Sequence, residues 1–247
     1  VITMQLALLG CYGPYPPAGG ACSGYLVSED GYNLLLDCGN GVMSRLLEHV
    51  SYLDLHAVVL SHLHADHISD IMIMRYGLEM AFNSGLRQAP LPLYAPGEPR
   101  SEFDRLPYKN AYNVKSVGNE TVLEEGPFKI TFLRGIHAVP SLAVRLETTS
   151  ATLVYSGDTE YFSALADFAA EADIFLCEAN YLESDLQKGL PNHLSAAGAA
   201  QIASAAGVRQ LILTHLYPER DPGLSLAEAV KFYPSARLAA ERQVIQL

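Results

Sequence analysis

No stretch of these 247 residues approaches the ~18 consecutive apolar positions that a membrane-spanning helix needs. No lysine or arginine precedes Arg45, so the positively charged start of an ordinary secretory signal is missing, and a soluble cytoplasmic protein is expected. Basic residues are few, 16 against 27 acidic ones, and nowhere clustered. With a formal charge of −11, that argues against a surface that tracks the phosphates of a long nucleic acid. Cys11, Cys22, Cys38 and Cys177 contain no C-x-x-C pair. Buried thiols are therefore expected rather than a disulfide framework, and a structural zinc built from them is disfavoured. Repeats and low-complexity linkers are also absent, so residues 1–247 read as one domain with no visible boundary.

What is present is an apolar fraction of 49%, enough to build a sizeable core despite the acidity. Strand-like and helix-like segments alternate. Residues 3–9, 24–28 and 32–37 read as opening strands, with a Gly/Pro-rich loop over 10–20. A short helix is predicted over 40–49, a buried strand over 57–60, and a helix over 68–82 with Ile71, Met74, Leu78, Ala81 and Phe82 on one side. Prolines between 90 and 107 break the pattern. Strands follow at 111–117, 120–125, 127–133, 141–147 and 151–155, then a helix at 160–170 and a strand at 174–176. The Ala-rich run 196–206 is predicted helical, with Ser195 as N-cap and Gly207 as its stop. A buried strand at 211–214 and a last helix at 225–232 complete an α/β pattern.

Six of the eight histidines fall in an informative order. The densest unit is Ser61-His62-Leu63-His64-Ala65-Asp66-His67, where a short apolar strand ends and a helix begins. His62 and His64 lie two apart at a strand end and so point to one side. Asp66 and His67 occupy the turn into the helix and can reach a second point a few ångströms away. One segment can thus offer two ligands to each of two metal ions. Imidazole nitrogens with carboxylate oxygens suit zinc, with manganese or iron as substitutes. A buried cluster of this kind without a metal would need costly pairing for each member. His137, Asp158 and His215 each follow an apolar strand, where α/β sheets place ligands. Together they complete two coordination spheres. His62, His64 and His137 would take one ion, Asp66, His67 and His215 the other, and Asp158 could bridge. His49 and His56 lie outside the pattern and read as surface or helix-end residues.

This order of His-x-His-x-Asp-His, a lone histidine, a Gly-Asp and a Thr-His resembles the metallo-β-lactamase superfamily over nearly the whole chain. The turn Asp37-Cys38-Gly39 is similar to that of ribonuclease Z-like members. The resemblance implies a four-layer αββα sandwich with two metal ions at one edge, but it does not settle the substrate. A bridging aspartate at 158 is unlike the true β-lactamases, and no glutathione-binding region of the glyoxalase II kind is visible. Asn192-His193-Leu194-Ser195 resembles the His-x-Thr/Ser motif of the ribonuclease Z-like phosphodiesterases, in which the histidine stands beside the scissile phosphate. Only 21 positions separate His137 from Asp158, which leaves no room for the tRNA-gripping arm of ribonuclease Z and argues against tRNA 3′-processing.

The expected protein is a metal-dependent hydrolase with a dinuclear site. It would act on a small phosphodiester, such as a cyclic or short nucleotide, through a hydroxide whose formation the metals favour. Asp66, besides being a ligand, would accept the water proton, and His193 would act on the leaving group. An arylsulfatase or lactonase using the same site is the alternative, and a non-catalytic metal-binding protein a third reading. Membrane partners are not expected, and a homodimer is left open.

Overall fold

The computed structural model describes residues 3–247 and stacks them in four layers, helices outside and two sheets inside. The first half of the chain supplies β1 (Gln5–Gly10), β2 (Gly24–Glu29), β3 (Tyr32–Leu36), β4 (Ala57–Val59), β5 (Leu91–Pro96) and β6 (Tyr112–Val117). Its helices are α1 (Val42–Leu46), α2 (Ala65–Ile68), α3 (Ile71–Asn83) and α4 (Arg100–Phe103). The second half supplies β7 (Val122–Glu125), β8 (Phe128–Arg134), β9 (Leu142–Glu147), β10 (Thr152–Tyr155), β11 (Ile174–Glu178) and β12 (Gln210–Thr214), with two short closing strands, β13 (Arg237–Leu238) and β14 (Val244–Gln246). Its helices are α5 (Ala164–Phe168), α6 (Glu183–Leu186), α7 (Ala196–Ala206) and α8 (Pro222–Ala229). The two sheets have seven strands each, in the orders β14-β1-β2-β3-β4-β5-β6 and β13-β12-β11-β10-β9-β8-β7. This is the αββα sandwich that the sequence resemblance implies.

Period-two alternation explains the layers. Leu6, Leu8, Leu34 and Leu36 of the first sheet meet Phe128, Val144, Leu153 and Ile212 of the second in the central core. The intervening Ala7, Leu9 and Leu35 turn outward to Val42, Leu46, Ile71 and Met74 of the helices. On the other side Val154, Phe175, Leu211 and Leu213 face Ala199, Ile202 and Ala203 of α7. Strands covered on both faces carry nearly continuous apolar runs, which is why periodicity alone marks them weakly.

Three expectations are corrected here. The proline-rich region contains β5, a buried inner strand. Its ladder to β4 pairs only Leu93 and Tyr94, so Pro92 and Pro96 fall outside it and their missing N–H donors cost no β4 bond. The helix expected over 68–82 starts only at Ile71, and Ile68 ends the separate α2. The chain breaks at Ser69 and Asp70, where Asp70 N–H donates to Cys38 O (3.0 Å) and the Asp70 carboxylate accepts from Met43 N at the start of α1 (2.9 Å). The last helix begins earlier than expected, because Asp221 caps it through Gly223 N and Pro222 takes the first position. Ser195 caps α7 by accepting from Gly198 N, and Gly207 ends it in the left-handed region (φ 64°). All four cysteines are free and buried, and no described helix is long and apolar enough to cross a membrane.

Candidate metal centre

Parallel pairing of β3 with β4, and of β10 with β11 and β12, brings their carboxyl ends to one edge of the sandwich. Asp37 follows β3, His62 lies just beyond β4, Asp158 beyond β10 and His215 directly after β12. His137 sits in the β8–β9 loop, while Asp66 and His67 lie in the first turn of α2. All seven residues singled out by spacing therefore meet. They form two clusters that could each hold an ion, His62 with His64 and His137, and Asp66 with His67, Asp158 and His215. His64 Nδ1 lies 3.1 Å from both His62 Nε2 and His137 Nε2. Asp158 Oδ2 stands 3.3 Å from His215 Nε2, 3.4 Å from His67 Nε2 and 3.7 Å from His62 Nε2, between the clusters. Asp66 Oδ2 is 3.2 Å from His215 Nε2.

The far side of three of the rings is occupied by a partner that fixes the tautomer. His67 Nδ1–H donates to Asp37 Oδ2 (2.7 Å), and His137 Nδ1–H to Asn192 O (2.8 Å). His62 Nδ1 meets Ser61 Oγ at 3.1 Å, and that hydroxyl in turn donates to Asp37 Oδ2. Asp37 is fully buried and accepts further from Ser61 N and the Tyr155 hydroxyl. The other ring nitrogens of His62, His67 and His137 thus all face inward.

Burial pushes His62 well below the usual imidazole range, with neighbouring His67 adding to it. Burial also opposes charge on His67 and on Asp158, but here the partners win. The carboxylates of Asp158, Asp66 and Asp37 hold His67 well above its ordinary value, and His215, His67 and His62 hold Asp158 well below. His67 Nε2 and Asp158 Oδ1 are buried without any hydrogen-bond partner among the described residues. Orphaned polar atoms of this kind are costly, and a divalent cation between them would satisfy both. The donor set therefore fits two metal ions of the imidazole-and-carboxylate class.

His193 stands at the rim. Its Nδ1–H donates to Glu178 Oε1 (3.0 Å) and lies 3.8 Å from Asp158 Oδ2, while its ring stacks on His215. Burial works against its charge, but Glu178 outweighs it, helped by Asp158 and Asp66, and raises the imidazole to about 9. Glu178 Oε1 also accepts Thr159 N (2.7 Å), so this oxygen is already committed, although Glu178, His193 and His215 lie close enough to form a third cluster.

Sequence reasoning passed over Glu178, Asp37 as a ring holder, and Gly13. The first two carry the same mark as Asp158, a carboxylate at the carboxyl end of an apolar strand. Gly13 had no legible mark. A Cβ there would come within 1.9 Å of His215 Nε2, so the 10–20 loop can lie on that ring only because the position is glycine. Asn180 Nδ2 pins this contact by donating to both Gly13 O and His215 O. His56 lies away from the centre, stacked on Tyr32.

Fold and site together define a metallo-hydrolase of the metallo-β-lactamase fold. The chain belongs to the β-lactamase superfamily, since the family described as "Beta-lactamase superfamily domain" matches residues 32–216. It is 37% identical over 213 residues to the probable metallo-hydrolase YhfI of Bacillus subtilis, covering 86% of this chain and 87% of that one. The crystal structure of YhfI superposes with a TM-score of 0.94 at 34% identity, covering 99% and 100% of the two chains. Ribonuclease Z of Bradyrhizobium diazoefficiens is 26% identical over 292 aligned positions, covering 96% of this chain and 97% of its own. The short form of human tRNase Z shares the fold, with a TM-score of 0.77 at 18% identity over 98% of each chain.

Proposed function

We propose that this metallo-hydrolase is a phosphodiesterase for small diesters, with a dinuclear centre, most simply of zinc, held by His62, His64, His137, Asp66, His67, His215 and the bridging Asp158. The observation that carries this reading is His193. It lies outside both clusters, is backed by the buried Glu178, and reaches the same 350 Å3 pocket as His64, Asp66 and Asp158. Two bound cations supply charge neutralisation for the non-bridging oxygens and an activated water. Asp66 accepts the proton of the attacking water as its oxygen bonds to phosphorus. His193, held protonated by Glu178, keeps its Nε2–H free to donate to the oxygen whose bond to phosphorus breaks. The 10–20 loop closes the pocket through Pro14 and shields His215 from bulk water.

The test is turnover of bis(p-nitrophenyl) phosphate, p-nitrophenyl sulfate and a lactone by the metal-loaded protein, beside His193→Ala. The diester should be the preferred substrate. His193→Ala should keep its metal while losing roughly 10²-fold or more in kcat, the scale of one transition-state donor. Preferred hydrolysis of the sulfate or lactone, with His193→Ala unimpaired, would replace this reading by an arylsulfatase or lactonase. Loss of metal in His193→Ala would make it a ligand.

A further inference from the structure

The metal pocket is flanked by two cavities of different character. On one side lies a space of about 510 Å3 between α2, α3 and α4, lined by Leu63, Ile68 and Met72 and touching the centre through His64. On the other lies a space of about 340 Å3 beyond the ends of β11 and β12, touching the centre through His193 and Pro14. Both sizes suit a small-molecule group. The second cavity is aromatic. Tyr181 stands three residues after Glu178, with its ring edge-on to His193 at 5.2 Å, and Tyr217 stands two residues after His215. Tyr217 packs against Tyr15, edge-to-face at 6.3 Å, and against the Arg220 guanidinium 5.5 Å from its ring centre.

Each charged side chain lining this cavity is already paired, His193 with Glu178 (3.0 Å) and Arg220 with Asp185. Arg220 Nη2 donates to Asp185 Oδ2 (2.5 Å) and Nη1 to Asn180 O (2.7 Å), so its charge is spent within the wall. An anionic group entering here would find no unpaired cation among the lining residues, whereas an uncharged ring would meet the side chains of two tyrosines. The position of His193 decides which part of a substrate arrives. His193, the proposed donor to the leaving oxygen, lines this cavity, and His64 and Met72 line the one on the opposite side.

We infer that the Tyr181–Tyr217 cavity receives the leaving group, and that the leaving group it fits is an uncharged planar ring, as in an aryl or nucleoside alcohol. Tyr217 is then a specificity-determining residue. This rests on the phosphodiesterase reading of the centre, and two measurements separate their failures.

The first compares ethyl p-nitrophenyl phosphate, whose single ring is on the leaving side, with bis(p-nitrophenyl) phosphate. Tyr217→Ala should lower kcat/KM about tenfold or more on both, the size of one lost ring stack. Met72→Ala should weaken only the bis-aryl diester, and Tyr217→Phe, which keeps the ring, should match the wild type. Unchanged kcat/KM of Tyr217→Ala on the ethyl diester, with wild-type turnover intact, would overturn the inference and leave the phosphodiesterase reading standing. The second measurement is independent of turnover, namely saturation-transfer NMR with phenol on the metal-loaded protein. Wild type and Tyr217→Phe should bind phenol and Tyr217→Ala should lose it, at unchanged metal content and melting temperature. Equal transfer in all three would overturn the inference. If neither diester is hydrolysed, the phosphodiesterase reading falls, and the phenol result decides the cavity alone.

Discussion

Asp158 differs from the other proposed carboxylate ligand in lying against imidazoles of both clusters. It lies within 3.7 Å of imidazoles from both clusters, and one of its oxygens has no partner in the chain among the described residues. Asp158→Ala should therefore lose more metal, by elemental analysis after reconstitution with excess zinc, than either His64→Ala or His215→Ala. Wild-type protein should hold up to two equivalents. A ceiling of one equivalent, or an Asp158→Ala loss no greater than that of a single histidine, would sink the bridged arrangement. Asp37 acts one step further out, by orienting His67 directly and His62 through Ser61. Removing such a holder costs about 10–100-fold in metal affinity. Asp37→Ala should show a loss of that size in a competitive chelator titration. Retention of wild-type affinity would mean that packing alone orients the two rings.

At the scale of elements, the 10–20 loop matters more than its composition suggested. It is tied to the body by Gly13 N–H donating to Leu216 O (3.2 Å) and by Arg45, which reaches Leu9 O at 2.8 Å and also meets Gly19 O. Its contact on His215 depends on the missing side chain at position 13. Gly13→Ala should displace the loop from His215 and lower kcat/KM at least tenfold, with a fall in overall stability of no more than a few degrees, since the core lies elsewhere. The check is turnover beside a melting curve, and unaltered turnover would show that the loop tolerates a shift. The same scale explains where periodicity misled. β5 was hidden by prolines whose missing donors matter only where a neighbouring strand needs them, and the length of β4 is not written in the sequence of β5.

Seen as a whole molecule, the first half supplies six strands of one sheet, which β14 from the chain end completes, and the two clusters draw four residues from the first half and three from the second where the strand ends converge. Between His137 and Asp158 the chain has room only for β9, β10 and their turns. Ribonuclease Z relatives share the fold, but this stretch offers no protruding arm, and the net charge is −11. On the proposed reading, substrate binding comes from the pocket. Small chromogenic diesters should be turned over at least as efficiently as a precursor tRNA, and the tRNA reaction should not dominate even at low salt, where phosphate contacts are strongest. Much faster cleavage of the tRNA would require an RNA-binding element elsewhere on the surface.

By itself the sequence determined the αββα class and the cast of the candidate centre. Strand ends followed by His or Asp are local signals, and a cluster such as His62-His64-Asp66-His67 is too dense to arise from packing needs alone. Ser195 and Gly207 were legible for the same reason, since a cap is written within four residues of the helix that it ends. Only the tertiary structure showed which further carboxylates hold the rings. Asp37 and Glu178, like Asp158, stand at the carboxyl ends of apolar strands. Their roles differ because strand order puts Asp37 behind His67, and Glu178 behind His193, and these are contacts between residues 30 and 15 positions apart. Tyr217 and Tyr181 likewise share a cavity only because β11 and β12 are parallel neighbours, and the register between two strands is a property of the folded sheet rather than of either segment.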